Sequence, residues 1–286
     1  MIFRNFYFVA AGLSTFFFFC YFMMKMGRLE ETVYQMSKEM KGTMQGLMNN
    51  QEFDRRMRRK WDTTMCKEYF SQSKEDEILY DLFFSQATPS EGFFLEMGAL
   101  DGVRFSNTLW YERCLGWNGM LLEPNPNNYK RLVENRKKTL NLETAACKEV
   151  GFIEMTLEGD AVAHVPNGNL KENFEKSFFE KGLGKLVKVP CEPLSQIFGK
   201  HNISKIDLFS LDVEGQEAAV LETIDFSKVK IDVMVVENDA FMTQENLVKR
   251  VREIMQQNGF LLITGKIERS DIFVHSGYLR RTKIKI

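Results

Sequence analysis

From residue 75 onward, the apolar positions alternate between short continuous runs and stretches with helical spacing. Glu75 to Ser85 has a helical pattern, and Phe93 to Met97 reads as a short apolar strand. Ser106 to Leu115 predicts a helix capped by Ser106 or Asn107. Met120 to Leu122 is a strand, and Asn127 to Lys138 a helix. Thr144 to Cys147 and Phe152 to Leu157 read as strands, and residues 159 to 186 as an irregular insertion. Ile206 to Leu211 and Val233 to Val236 are buried strands, with a helix over Gln216 to Ile224 between them. Gln244 to Asn258 is a long amphipathic helix closed by Gly259, and Phe260 to Thr264 and Asp271 to His275 are closing strands. Such alternation predicts an α/β fold: a mostly parallel sheet with helices on both faces. Sheets of this kind bind ligands beyond the carboxyl ends of their strands.

The N-terminal pattern is different. Residues 5 to 24 contain no charged side chain, flanked by Arg4 on one side and Lys25 and Arg28 on the other. Twenty helical residues span the ~30 Å hydrocarbon core of a bilayer. A cleaved signal peptide would end in small residues, but this run ends in Phe22, Met23 and Met24, which favours an uncleaved anchor. Residues 1–27 are therefore read as a signal anchor, 28–65 as a helical stem and 66–286 as the main domain. Leu29, Val33, Met36, Met40, Thr43 and Leu47 form a short heptad seam in the stem. That seam fits either a homodimer contact or a single solvated helix. Positive charge on both flanks leaves orientation to the size of the C-terminal domain, which suits a type II protein with its domain in the ER or Golgi lumen. The basic run Arg55 to Lys60 pulls mildly towards the cytosol.

Composition narrows this picture. The chain is 44% hydrophobic and 27% charged, which fits a globular core. A formal net charge of -1 gives no general attraction for nucleic acid. Cys66, Cys114, Cys147 and Cys191 form no C-x-x-C pair, so no zinc site is expected. They fit two disulfides or four buried thiols equally well. Asn202-Ile203-Ser204 is the single glycosylation sequon.

Candidate chemistry lies at strand ends. In Phe94-Leu95-Glu96-Met97-Gly98-Ala99-Leu100-Asp101-Gly102 an apolar strand runs into a glycine-bearing turn. Glycines let the backbone bend sharply and a ligand come close. Glu123, 21 residues after Gly102, ends the next strand, where a carboxylate can accept both hydroxyls of an adenosine ribose. Asp101 in the turn would repel a pyrophosphate, and it suits the ammonium and sulfonium of S-adenosylmethionine better than a dinucleotide. A third strand delivers Asp212 and Glu214, and a fourth ends in Glu237-Asn238-Asp239. Asp212, Asn238 and Asp239 could hold magnesium or calcium, but helix capping and substrate positioning are preferred to a metal site.

The stretches Ser71 to Asp76, Phe94 to Asn107, Trp117 to Pro126 and Asp207 to Glu217 resemble the FkbM family of S-adenosylmethionine-dependent methyltransferases, its animal membrane-anchored branch above all. The resemblance covers roughly residues 66 to 276. It implies a class I methyltransferase (Rossmann-like) fold, with a sheet of about seven strands, and O-methylation of a hydroxyl. It further implies that Glu96, Gly98, Asp101 and Glu123 contact the cofactor, with Gly102 and Asn125 beside them. Asp212 and Glu214 would face the reaction centre.

Methyl transfer needs alignment of the acceptor and removal of one proton. The candidate bases are Asp212, Glu214 and His164, with Asp212 preferred over His164. The acceptor is expected to be a glycan, a lipid or a small metabolite. Two other readings compete. One is a non-catalytic trafficking or scaffold protein that keeps the fold; the other is a nicotinamide-dependent oxidoreductase.

Overall fold

The computed structural model describes residues 66, 68–86, 88–89, 91–157, 165, 176, 185–238 and 244–284. The chain divides into residues 1–57 and 58–286, and every described residue belongs to the second unit. The expected membrane segment, the stem, His164 and Asp239 lie outside the described residues. Among those described, no helix is long and apolar enough to cross a membrane.

Seven strands form one sheet: β1 (Phe93–Met97), β2 (Asn118–Leu122), β3 (Leu140–Leu142), β7 (Lys205–Leu211), β8 (Lys230–Glu237), β9 (Phe260–Ile263) and β10 (Ser270–His275). Their order is β3-β2-β1-β7-β8-β10-β9. All neighbours from β3 to β8 run parallel, and β10 is antiparallel to both β8 and β9. The strand order reverses between β1 and β7, and a cleft forms beyond the carboxyl ends of parallel strands at such a switch point.

Both faces of the sheet are covered, which is why β7 and β8 read as nearly unbroken apolar runs. Side-chain alternation divides the core. Leu95, Met97, Phe209, Leu211, Met234 and Val236 pack on one side with Val220, Val251 and Met255. Phe94, Leu121, Leu208, Val233 and Val235 pack on the other with Phe84, Trp110, Tyr111 and Tyr278. Among the described residues, seven helices flank the sheet: α1 (Glu75–Leu79), α2 (Leu109–Leu115), α3 (Pro126–Asn135), α4 (Leu194–Lys200), α5 (Glu217–Leu221), α6 (Glu245–Gln257) and α7 (Ser276–Thr282). The helical pattern after Leu79 continues as a π-helical turn over Tyr80–Phe84.

A small second sheet, in the order β4-β6-β5, joins β4 (Ala145–Ala146), β5 (Gly151–Thr156) and β6 (Leu186–Glu192). β6 overlaps the end of the stretch read as irregular. Its Pro190, which has no N–H to donate, masks the strand signal in the sequence. The short strand β3 and the helices α4 and α7 also escaped that reading. The cysteines form the disulfides Cys66–Cys114 and Cys147–Cys191, with Cα separations of 5.8 and 5.6 Å.

Several predicted helices prove shorter. The one expected from Ser106 begins at Leu109, because Ser106, Asn107 and Thr108 are drawn onto the Glu96 carboxylate instead. The helix expected to reach Lys138 ends at Asn135, where Arg136 leaves helical geometry and turns its side chain inward. The helix expected over 216–224 spans only Glu217–Leu221.

Candidate active site

A cavity of about 360 Å³ opens at the switch point, at the low end of the usual ligand-pocket range. Its lining includes Glu96, Gly98, Glu123, Asp212 and Glu214, so the sheet brings five of the sequence-predicted site residues together.

Gly98 follows β1 directly. Its φ is +76°, and a Cβ there would lie 1.9 Å from the Asp212 carbonyl oxygen. The turn therefore has room for glycine alone, and the backbone there lies open to the cavity. The Gly98 N–H donates to the Leu122 carbonyl at 3.1 Å, and the Asp212 N–H donates to the Met97 carbonyl at 3.3 Å. Through these bonds the ends of β2, β1 and β7 converge on one point.

Glu123 stands one residue beyond β2 and is buried. Its Oε2 accepts from the Leu100 N–H at 2.8 Å, and its Oε1 from the Asn125 N–H at 2.8 Å. These backbone donors fix the carboxylate plane.

Glu96 is more deeply embedded. Its carboxylate accepts from the Ser106 and Thr108 hydroxyls and from the Asn107 N–H. Burial raises its pKa, opposed by the charge of Arg136 and by those hydrogen bonds.

Three residues expected at the cofactor do not line the cavity. Asp101 does not line the cavity. Its Oδ1 accepts from the Val103 and Arg104 N–H groups in a local turn, so the charge argument built on it falls. Gly102 also lies off the cavity. A Cβ there would meet Leu132 and Arg136 side-chain carbons at 2.5 Å, so this glycine serves packing against α3. Asn125 is the N-cap of α3: its side chain accepts from the Asn127 N–H and donates to the Leu157 carbonyl.

On the other side of Gly98 lies an acidic group. Carboxylate oxygens of Asp212, Glu214 and Glu237 fall within 4.8 Å of one another, a spacing that a hard divalent cation could occupy with oxygen ligands. This set replaces the one considered from sequence, since Asn238 does not line the cavity. Glu237 ends β8 beside Asp212, because Leu211 and Val236 are register partners. Burial, then the charges of Asp212, Glu214 and Glu217, push the Glu237 carboxyl well above the usual carboxylate range, and it hydrogen-bonds to Asp212. Glu214 holds a left-handed φ of 52°. The turn carrying it is closed by Glu217, whose Oε1 accepts from the Val213 and Gly215 N–H groups. Burial raises Glu217 to about 7 against those backbone bonds, with the Asp212 charge adding to the rise.

Glu237 was passed over in the sequence in favour of its neighbours Asn238 and Asp239. Two adjacent parallel strands each running into an acid was the available signal. Gln72, Phe105 and Arg269 also line the cavity, and they come from loops with no such signature.

The sequence model of the Methyltransferase FkbM domain matches residues 96–262, more than half of the chain. Among solved structures, the chain is similar to a methyltransferase FkbM from Methylobacillus flagellatus KT. That match has 11% identity and a TM-score of 0.42, and covers 71% of this chain and 48% of that one. The chain thus spans about half the length of the Methylobacillus protein. It is also similar to an O-methyltransferase from Bacillus cereus in complex with SAH, at 12% identity and a TM-score of 0.40, covering 82% and 94% of the two chains. Aeropyrum pernix fibrillarin with natively bound S-adenosyl-L-methionine matches at 12% identity and a TM-score of 0.33, covering 65% and 67%. No match is found among the curated proteins.

Proposed function

This chain belongs to the FkbM methyltransferase family, and from that premise we propose that its cavity binds S-adenosylmethionine and directs the methyl group onto a hydroxyl oxygen of an acceptor. One observation carries the reading. The Glu123 carboxylate at the end of β2 and the glycine-only bend at Gly98 line the same cavity and are joined through the Leu100 N–H. A carboxylate with its plane fixed there matches a ribose diol, and the open bend admits the remainder of the nucleoside. When bound, S-adenosylmethionine supplies a methyl group already activated on a sulfonium.

The work left to the chain is positioning and proton removal. Asp212, at the end of β7, takes the acceptor proton. Glu237, hydrogen-bonded to Asp212, holds that carboxylate in place. Glu214 completes the acidic wall on the same side of the cavity.

Calorimetry with S-adenosylhomocysteine tests the reading. The wild-type chain should bind, and Glu123→Ala should weaken binding at least about tenfold, as expected for one lost charge-assisted contact. Equal affinity in both proteins would remove the role given to Glu123. Absence of binding in the wild type would favour the non-catalytic scaffold reading.

We also infer that residues 5 to 24 anchor the chain in a membrane with the domain in an oxidising lumen. The two disulfides and the exposed sequon residue Asn202 support that placement. Protease protection of the domain in sealed microsomes is expected, and digestion without detergent would overturn it.

A further inference from the structure

The two ends of the cavity differ in chemistry. Next to the end of β3 its wall is Ala145, Ala146, Ile153 and Met155, apolar and suited to a flat base. Beyond β1, at the end of β7, it is Asn107, Ser210 and Asp212, all polar. Glu123 follows β2 and stands between these ends in the strand order β3-β2-β1-β7. A nucleoside whose ribose rests on Glu123 therefore directs its adenine towards β3 and its amino-acid arm towards β7.

Asn107 is fixed at that polar end by its neighbours. The hydroxyls of Ser106 and Thr108 donate to Glu96 Oε2, and the Asn107 N–H donates to Glu96 Oε1 at 2.7 Å. The Asn107 Nδ2 donates to Ser210 Oγ at 2.9 Å, and Ser210 is the register partner of Glu96 in the adjoining strand. Three consecutive residues are thus bound to one buried carboxylate, so the amide is held where it lines the cavity. One atom is left over. Asn107 Oδ1 is buried, and among the described residues no donor reaches it. A buried carbonyl without a hydrogen bond is destabilising, and native folds seldom keep one without a use. A ligand donor arriving through the cavity removes that cost.

We propose that Asn107 binds the amino-acid end of the cofactor, its Oδ1 accepting a hydrogen bond from the α-ammonium group. The inference rests on the methyltransferase reading above and adds a contact to that same site. On the arm of S-adenosylmethionine, the carboxylate has no hydrogen to give and the ammonium has three. A carbonyl acceptor therefore selects the ammonium, and a hydrogen bond to a charged donor is stronger than one between neutral groups. Asp212 and Glu214 line the same cavity, and their carboxylates favour a cation at this end.

The test uses the full-length chain and calorimetry with two compounds: S-adenosylhomocysteine, and its analogue in which hydrogen replaces the α-amino group. The wild type should bind S-adenosylhomocysteine about tenfold or more tighter than the analogue. Asn107→Ala should weaken S-adenosylhomocysteine about tenfold while the affinity for the analogue stays within about twofold. That retained affinity reports a folded cavity, and a merely structural role for Asn107 would weaken both compounds alike. Should Asn107→Ala not fold, Asn107→Leu fills nearly the same volume and carries the same comparison. Three outcomes overturn the proposal: equal affinity of the wild type for the two compounds, equal losses for both in the variant, or an S-adenosylhomocysteine affinity unchanged by the substitution. A wild-type chain that binds neither compound overturns the cofactor reading itself, and this inference with it.

Discussion

Glu217 sits at the base of the Asp212–Gly215 turn, and burial moves its carboxyl from an ordinary 4.5 to about 7. A folded-state value above the unfolded one means that the folded chain holds this proton longer. The stability tied to it is complete below about pH 4.5 and is lost as pH rises through about 7. Glu217→Gln removes that titration while keeping an acceptor oxygen for the Val213 and Gly215 N–H groups. The variant should therefore gain stability over wild type above pH 7, by a few kcal/mol at most, and the gap should close near pH 4. Urea midpoints across that range would measure it, and a gap independent of pH would contradict it. Gly98 gives a second residue-level expectation. Gly98→Ala forces a Cβ against the Asp212 carbonyl and should cost about 2 kcal/mol or more and abolish cofactor binding. Gly116 has a similar φ of +65° but nothing within 4 Å, so Gly116→Ala should cost only about 1–2 kcal/mol and leave binding unchanged. The acids at strand ends were legible in the sequence because strand termini are local features. The fate of Asp101 was not: its carboxylate could turn inward to the cavity or back onto Val103 and Arg104, and the chain closed the turn on itself.

Arg136 works at the scale of elements. It follows the last turn of α3 and is wholly buried, and it reaches three other pieces of the fold. Its Nε donates to Glu112 of α2 at 2.5 Å, and its Nη1 donates to the Gly102 carbonyl at 2.9 Å and the Ser106 hydroxyl at 3.1 Å. The guanidinium also stands 5.4 Å from the Phe94 ring centroid in β1. Replacing one member of such a pair leaves the other charge buried alone. Arg136→Met should thus lower stability by about 3–5 kcal/mol and also loosen the 102–108 loop that carries Phe105. Adding Glu112→Gln should recover part of that loss, and a double-mutant cycle from urea unfolding would measure the coupling. Additive losses would exclude it. The sequence marked Arg136 as one more helix position, because nothing local distinguishes a surface arginine from one turned into the core. The Ser106 start of α2 was missed for the same reason: the partner that pulls Ser106 out of the helix, Glu96, lies in another element.

For the molecule as a whole, two covalent ties close long loops: Cys66 to Cys114 across 48 residues and Cys147 to Cys191 across 44. Chain-entropy arguments give each up to about 4 kcal/mol. Reduction under native conditions should move the urea midpoint down markedly, and Cys147→Ser with Cys191→Ser should reproduce part of that shift. An unchanged midpoint would mean that the packed sheet needs neither tie. The sequence by itself determined the alternation of strands and helices, the doubly covered sheet and the acids at the carboxyl ends of β1, β2 and β7. Those follow from side-chain periodicity and from where apolar runs stop, and both are written within a few neighbouring residues. Only the tertiary structure decided which cysteines pair, that Glu237 faces Asp212, that Arg136 locks the 102–108 loop and that Phe105 lines the cavity. Each of these depends on strand order and on contacts between residues far apart in the chain, and no local pattern encodes such contacts.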